Sequence, residues 1–344
     1  MADDALRSRP VPAPRPLLAT LDGLLAGATE RQPFGTTDSK SGSSFERVVV
    51  DGEARVVKHI HVDDDFTMRF NGDIGCFPAR VWQSGMMDVL PDRIDHGTVA
   101  VAAGLGRNGW GASLLMRDLG QAMVPPGDEP LGEAEHAQLV GDLAALSALT
   151  LGWHDDVGFV PLETRWSWFN HAALDCEEAR GWPAPVPRIA RDGWARFAVR
   201  APRDVAAVVD ELRHDPGPLV QRARRTPQSF VHGDWKLGNV GFGNDGRTVL
   251  IDWAYPGEAP CCYELAWHLA LNRVRLPISK EATIELFRHE LASHAAAPAA
   301  WFDEQLALCL LAGTTVMGWE KALDDGEDEL GWWCDRAREG ASRV

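Results

Sequence analysis

Lysine is scarce in this chain: Lys40, Lys58, Lys236, Lys280 and Lys321 are five of 34 basic residues, and arginine supplies the other 29. Tyrosine is scarcer still, two residues against 14 tryptophans. The six cysteines at 76, 176, 261, 262, 309 and 334 form no C-x-x-C pair, which excludes the usual zinc-ribbon and thioredoxin-like patterns. Buried small residues at a helix start account for the neighbours Cys261 and Cys262. Neither a secretory leader nor a long uncharged apolar run is read in the chain, so the expectation is a reduced, cytoplasmic protein with no membrane partner. Positive charge is in deficit overall. A formal net charge of −16 disfavours nucleic acid as a partner and favours a cationic small molecule through the long-range field.

What is present concentrates between Val231 and Trp253, in VHGDWKLGNVGFGNDGRTVLIDW. Asp245-Gly246 is a tight-turn dipeptide flanked by the apolar residues Val240, Phe242, Val249, Leu250 and Ile251, the pattern of a hairpin. A two-residue turn there, or a four-residue loop with the same centre, sets Asn239 directly opposite Asp252, with Cβ atoms about 5 Å apart. A three-residue loop slips that register. An amide oxygen and a carboxylate held this close are hard oxygen ligands of the type magnesium takes beside phosphates and water. Asp234 precedes Asn239 by five residues, so one loop can aim both at a small volume, with Asp234 free to accept a hydroxyl proton. The spacing H-x-D-x-x-x-x-N followed by a strand-end aspartate is that of a kinase catalytic loop and its metal-binding acid.

These residues, His232, Gly233, Asp234, Asn239, Ile251, Asp252 and Trp253, resemble the aminoglycoside phosphotransferase-like family, relatives of choline and homoserine kinases. The resemblance implies an α+β, protein kinase-like fold with two lobes, a small one with an antiparallel sheet and a larger, mostly helical one. It also implies ATP or another nucleoside triphosphate, magnesium, and a small-molecule hydroxyl acceptor such as an amino sugar, sugar, aminoglycoside or amino alcohol. Asp234 is then the base, Asn239 and Asp252 the metal ligands, and Lys236 a charge near the transferred phosphoryl group. A noncatalytic nucleotide-binding scaffold and a metal hydrolase using His232 and Asp234 as ligands are the competing readings.

Residues 1–16 form a proline-rich tail, 17–119 the expected nucleotide lobe and 120–344 the expected catalytic and substrate lobe. Within 17–119, a short helix over Leu17–Ala26 precedes the small-residue run Ser39–Ser44, then strands on either side of Asp51-Gly52. Gly42, Ser43 and Ser44 let backbone N–H groups approach phosphate, and Lys58 on the returning strand reaches the α- and β-phosphates, although the G-x-G-x-x-G glycines are missing. Gly97–Leu105 and Trp110–Met116 complete the sheet around Asn108-Gly109. In the family this strand exit is the hinge that bonds adenine, which puts Met116 and Asp118 at the nucleotide. No glutamate lies between Glu53 and Glu129. The acid that pairs with the family's strand lysine must therefore be an aspartate such as Asp64, Asp65 or Asp73, or be missing. Helices are expected at 133–149, 166–179, 202–213, 261–271, 279–295, 301–323 and 328–338. Glu264 falls where the family has a structural aspartate.

Overall fold

Strand-period alternation builds the N-terminal part. A computed structural model describes residues 13–35, 42–294, 300–324 and 326–344; of the expected Ser39–Ser44 loop, Ser39, Lys40 and Ser41 lie outside the described residues. Strands β1 (Thr29–Phe34), β2 (Ser44–Val50), β3 (Glu53–His61), β5 (Thr98–Leu105) and β6 (Gly111–Arg117) form an antiparallel sheet in the order β1-β2-β3-β6-β5. The two-residue strand β4 (Ile94–Asp95) belongs to another sheet. Val50 pairs with Glu53 across Asp51-Gly52, and both turn residues have positive φ (52° and 80°), the I′ geometry that matches strand twist.

Successive residues go to opposite faces of this sheet. Val48, Val57, Ala102 and Leu115 pack with Leu24 and Leu25 on one side. Ile60, Val101, Ala112, Leu114 and Met116 join the main core on the other. Lys58 sits between Val57 and Ile60 in this alternation and shares the face of its cross-strand neighbour Leu114, toward the helical part. The N-terminal helix is only Leu21–Leu24, capped by Thr20, because Leu18 is already bonded alongside Ala102. Arg15 stacks on Trp82 at 4.1 Å and Pro16 accepts its indole N–H, so the end of the proline-rich segment is docked.

The C-terminal part is mostly helical. Glu133–Leu149, Arg203–His214, Cys262–Leu271, Lys280–His294, Phe302–Leu323 and Glu327–Ala341 follow the expected spans within a few residues. The Phe302–Leu323 helix is long and apolar enough to cross a membrane by composition, yet most of it is buried inside the protein, as the core helix of the bundle. Of the expected 166–179 helix only His171–Ala179 forms; a short helix, Leu162–Arg165, ends before that span, and residues 166–169 are a turn in which Phe169 takes φ 55° before Asn170 caps the helix. Pro185–Arg200 is a further helix, with proline at its first turn, where a missing N–H has no consequence. Together these elements give the expected α+β arrangement, an antiparallel sheet in the N-terminal part and helices in the C-terminal part.

Polar contacts tie the two parts together. Arg69, on the Phe66–Phe70 helix, makes a bidentate pair with Glu177 (2.6 and 2.8 Å) in which both side chains are buried. Trp168 donates to Asn71 Oδ1 at 2.8 Å, and Arg80 donates to the Gly158 carbonyl.

Candidate active site

Two short strand pairs frame the motif. β7 (Gln228–Val231) pairs with β10 (Gly257–Pro260), and β8 (Val240–Phe242) pairs with β9 (Thr248–Leu250). Segments 232–239 and 251–256 therefore leave the strand ends side by side, joined by Ile251 N–H to Asn239 O (2.9 Å). The register differs from the expected one. Val240 pairs with Leu250 and Phe242 with Thr248, so Asn239 faces Ile251 and not Asp252. The reason is the loop: Gly246 N–H bonds Gly243 O, Gly243 N–H bonds Arg247 O, and of Asp245-Gly246 only the glycine has positive φ (79°). That is a three-residue loop ending in a left-handed glycine, which shifts the pairing by one. Asp252 itself takes φ 65°, a conformation that costs a non-glycine residue on the order of 1–3 kcal/mol, and this turn aims its carboxylate out of the pleat.

The carboxylate of Asp252 meets Lys58 from β3, Nζ to Oδ1 2.7 Å, across 194 positions of sequence. Burial pushes the Asp252 carboxyl up, but the charge and hydrogen bond of Lys58, aided by Lys236 and His232, outweigh it and hold the acid below its ordinary range. Asp234, buried, is surrounded by donors. Trp267 Nε1–H reaches Oδ1 (2.8 Å), while Asn239 Nδ2–H and Lys236 Nζ both reach Oδ2 (2.7 Å). Asn239 also donates to the Asp234 carbonyl (3.1 Å), so its amide nitrogen is spent and its oxygen is turned away from the acid. The Asn239 amide oxygen and the second oxygen of Asp252 are hard donors that suit a magnesium ion beside phosphate.

His232 is a strut. Burial lowers its imidazole to about 4, its Nε2–H donates to Ile251 O (3.0 Å), and its Nδ1 accepts from Asp234 N–H (3.2 Å). Both ring nitrogens are occupied, which removes the reading of His232 as a ligand of a hydrolytic metal. Gly233 is required by space and by φ 90°: an added Cβ would stand 2.0 Å from Tyr255 O and 2.5 Å from Arg165 Nη1.

The Cys262–Leu271 helix cradles this loop. Glu264 accepts from His232 N–H (3.2 Å) and Gly233 N–H (2.6 Å), Tyr263 donates to Gly233 O (3.4 Å), and Asn272, just past the helix end, accepts from Leu237 N–H (2.9 Å). Burial raises the Glu264 carboxyl to about 7 despite these two donors. Its structural place is as expected. Trp267 and Arg165 were not foreseen. Trp267 lies one helical turn after Glu264, and that i, i+3 spacing is the signal that puts both on one face toward the loop.

Of the nucleotide residues expected from sequence, Lys58 reaches the motif directly. Ser44 pairs with His59 and Phe45 with Lys58, so Gly42, Ser43 and Ser44 enter at the strand next to the lysine, with Gly42 (φ 102°) seated against the Asp64 carbonyl. Met116 is buried within β6 between Thr98 and Val56, while Asp118, just past the strand, lies 3.7 Å from Arg47. The ion partner of Lys58 is not one of the expected acids. Asp65 caps the Phe66–Phe70 helix, and Asp73 accepts from Gly75 and Phe77 N–H groups, leaving Asp252 to pair with the lysine.

The model of the phosphotransferase enzyme family matches residues 89–303, more than half of the chain. The chain belongs to this family. Its members are small-molecule phosphotransferases, so this protein is an enzyme of that class. The matched span holds Asp234, Lys236, Asn239 and Asp252, whereas Lys58 precedes it. No curated protein matches. Solved structures similar to this phosphotransferase include a choline kinase from Streptococcus pneumoniae, at 11% identity over 94% of this chain and 96% of that one, TM-score 0.49. A microcompartment-associated aminopropanol kinase matches at 12% identity over 91% of both chains, TM-score 0.48. A thermostable mutant of an aminoglycoside phosphotransferase in ternary complex with ADP and hygromycin B matches at 15% identity over 94% and 97%, TM-score 0.47.

Proposed function

We propose that this phosphotransferase moves the γ-phosphoryl group of ATP, or of another nucleoside triphosphate, to a hydroxyl of a small molecule. The observation that supports it most is the meeting of Lys58 and Asp252 at 2.7 Å beside an Asp234 that holds Asn239 and Lys236. Residues 17–119 serve as the nucleotide lobe and 120–344 as the catalytic lobe in this reading.

Asn239 and Asp252 would hold magnesium, whose charge would offset that of the triphosphate. Asp234 orients the acceptor hydroxyl and takes its proton as the new O–P bond forms and the bond from the γ-phosphorus to the nucleoside diphosphate breaks. Lys58 turns from Asp252 to the α- and β-phosphates, and Lys236, 37% exposed at the side chain, faces the transferred group. Because such transition states are loose, positioning and fixed charge carry most of the rate. The backbone of Gly42, Ser43 and Ser44, and the strand exit at Met116 and Asp118, serve the nucleotide. The net charge of −16 favours amine-bearing acceptors.

The test is magnesium-ATP turnover across amino alcohols, amino sugars and aminoglycosides, with Asp234→Asn as the blank. ADP release that depends on an acceptor and falls by roughly two orders of magnitude or more in the variant is expected. Turnover equal in both proteins would remove Asp234 as the base.

A further inference from the structure

Two helices of the C-terminal part bring a pair of imidazoles onto one carboxylate. His171 opens the His171–Ala179 helix, and Asp210 and His214 stand one turn apart at the end of the Arg203–His214 helix, an i, i+4 pair on one face. Among the described residues these three are the one group of metal-ligating side chains whose ligand atoms all lie within 4.8 Å of one another. We propose that they form a site for zinc or a similar imidazole-preferring transition ion, which clamps the two helices together. The site shares no residue with Asn239 and Asp252 and differs from them in chemistry: two imidazoles with a carboxylate suit zinc, whereas amide and carboxylate oxygens suit magnesium.

The geometry fits a clamp. His171 Nε2 lies 3.0 Å from Asp210 Oδ1, and the two imidazoles stack with centroids 4.1 Å apart and planes 27° apart. Zinc bonds of about 2.0–2.2 Å set adjacent ligand atoms roughly 3.3 Å apart in a tetrahedron, so the His171–Asp210 edge is already close to that length. His214 Nδ1 donates to the Asp210 carbonyl (2.8 Å), which places the ring proton on Nδ1 and leaves the Nε2 lone pair for an ion. A ligand histidine commonly has its other N–H engaged in this way. The backbone is held as well. Asn170 Oδ1 accepts from Ala173 N–H (2.8 Å) and caps the helix that His171 opens. Arg213 donates to the Phe169 carbonyl (3.0 Å) and stacks on Trp194 (3.9 Å), tying the second helix to the turn before His171. Its Nη1, 3.7 Å from Asp210 Oδ1, is the competing cation, and these two contacts keep it from closing on the carboxylate. The side chains of His171, Asp210 and His214 are 43%, 56% and 60% exposed, so an ion arrives from solvent and water completes its coordination.

The test is equilibrium dialysis of chelator-stripped, full-length protein against zinc chloride, with bound metal counted and the melting temperature read in parallel. Cys176→Ser serves as the parent, because Cys176 is an exposed thiol on the same helix. One zinc per chain, bound at about 100 µM or tighter and retained against roughly a hundredfold excess of magnesium, is expected. His171→Gln and His214→Gln should each weaken binding about tenfold or more and abolish the rise in melting temperature that zinc gives the parent. Parent protein that binds zinc more weakly than this, or affinity within about twofold of the parent in either histidine variant, would overturn the proposal. Zinc bound to the parent without a rise in melting temperature would overturn the clamp.

Discussion

Trp267 donates its indole N–H to Asp234 Oδ1 over 2.8 Å, from the helix whose Glu264 receives the backbone of His232 and Gly233. Asp234 is thus fixed twice by one rigid element, through its own carboxylate and through the two residues before it. Of the three donors on that carboxylate, Asn239 and Lys236 have work at metal and phosphate in the proposed reaction. Trp267 is the one that stays.

Trp267→Phe keeps the ring that packs edge-on to Trp168 and deletes the donor. A hydrogen bond to a charged group is worth about 1.5–3 kcal/mol, so kcat is expected to fall by roughly 10- to 100-fold while the KM for nucleotide stays within about twofold. Steady-state kinetics decide it, and an unchanged kcat removes the orienting role.

Asp252→Ala removes the carboxylate proposed to carry metal. Wild-type protein is expected to bind ADP more tightly with magnesium than without, and the variant to lose that difference. Calorimetry in the two buffers measures it. A variant that keeps the full magnesium effect places the metal elsewhere.

Breaking the Arg69–Glu177 pair leaves one charge buried without its partner, since the side chains are only 8% and 1% exposed. Glu177→Gln or Arg69→Met should each destabilise by about 3–5 kcal/mol. The double replacement Arg69→Met with Glu177→Leu should recover part of the loss, because no unpaired charge remains. Denaturant unfolding checks both; losses that simply add would show that the pair is not coupled.

Burial lowers His268 to about 3 from its ordinary 6.5, so the native protein holds it neutral while the unfolded chain takes a proton. Unfolded chain binds more protons in that window, and stability therefore rises with pH. The contribution is complete above about 6.5 and is lost as pH falls toward 3, at about 1.4 kcal/mol per pH unit. His268→Asn should lose about 1 kcal/mol less stability than wild type between pH 6.5 and 5.5, measured by urea unfolding. Equal losses would assign the acid sensitivity to other groups.

Much of the architecture was legible because local chemistry and tertiary need agree. The Glu133–Leu149 helix announces itself by acids in its first turn and apolar residues at helical spacing, and Asp51-Gly52 takes the turn that its residue types favour. No helix was expected at 185–200, yet Pro185-Val186-Pro187 opens a sixteen-residue one, since proline is unfavourable inside a helix and harmless at its first turn. The hairpin register was not legible: Asp245-Gly246 serves a two-residue and a three-residue loop equally well, and the choice moves every cross-strand pair by one.

The identities and spacing of Asp234, Lys236, Asn239 and Asp252 belong to the sequence alone, because the eight- and six-residue segments 232–239 and 251–256 between short strands restrict where their side chains can go. Partnership belongs to the fold. Lys58 meets Asp252 and Trp267 meets Asp234 only after a sheet face and a helix face are buried against the same loop, and contacts between residues so far apart are decided by packing, which no local spacing encodes.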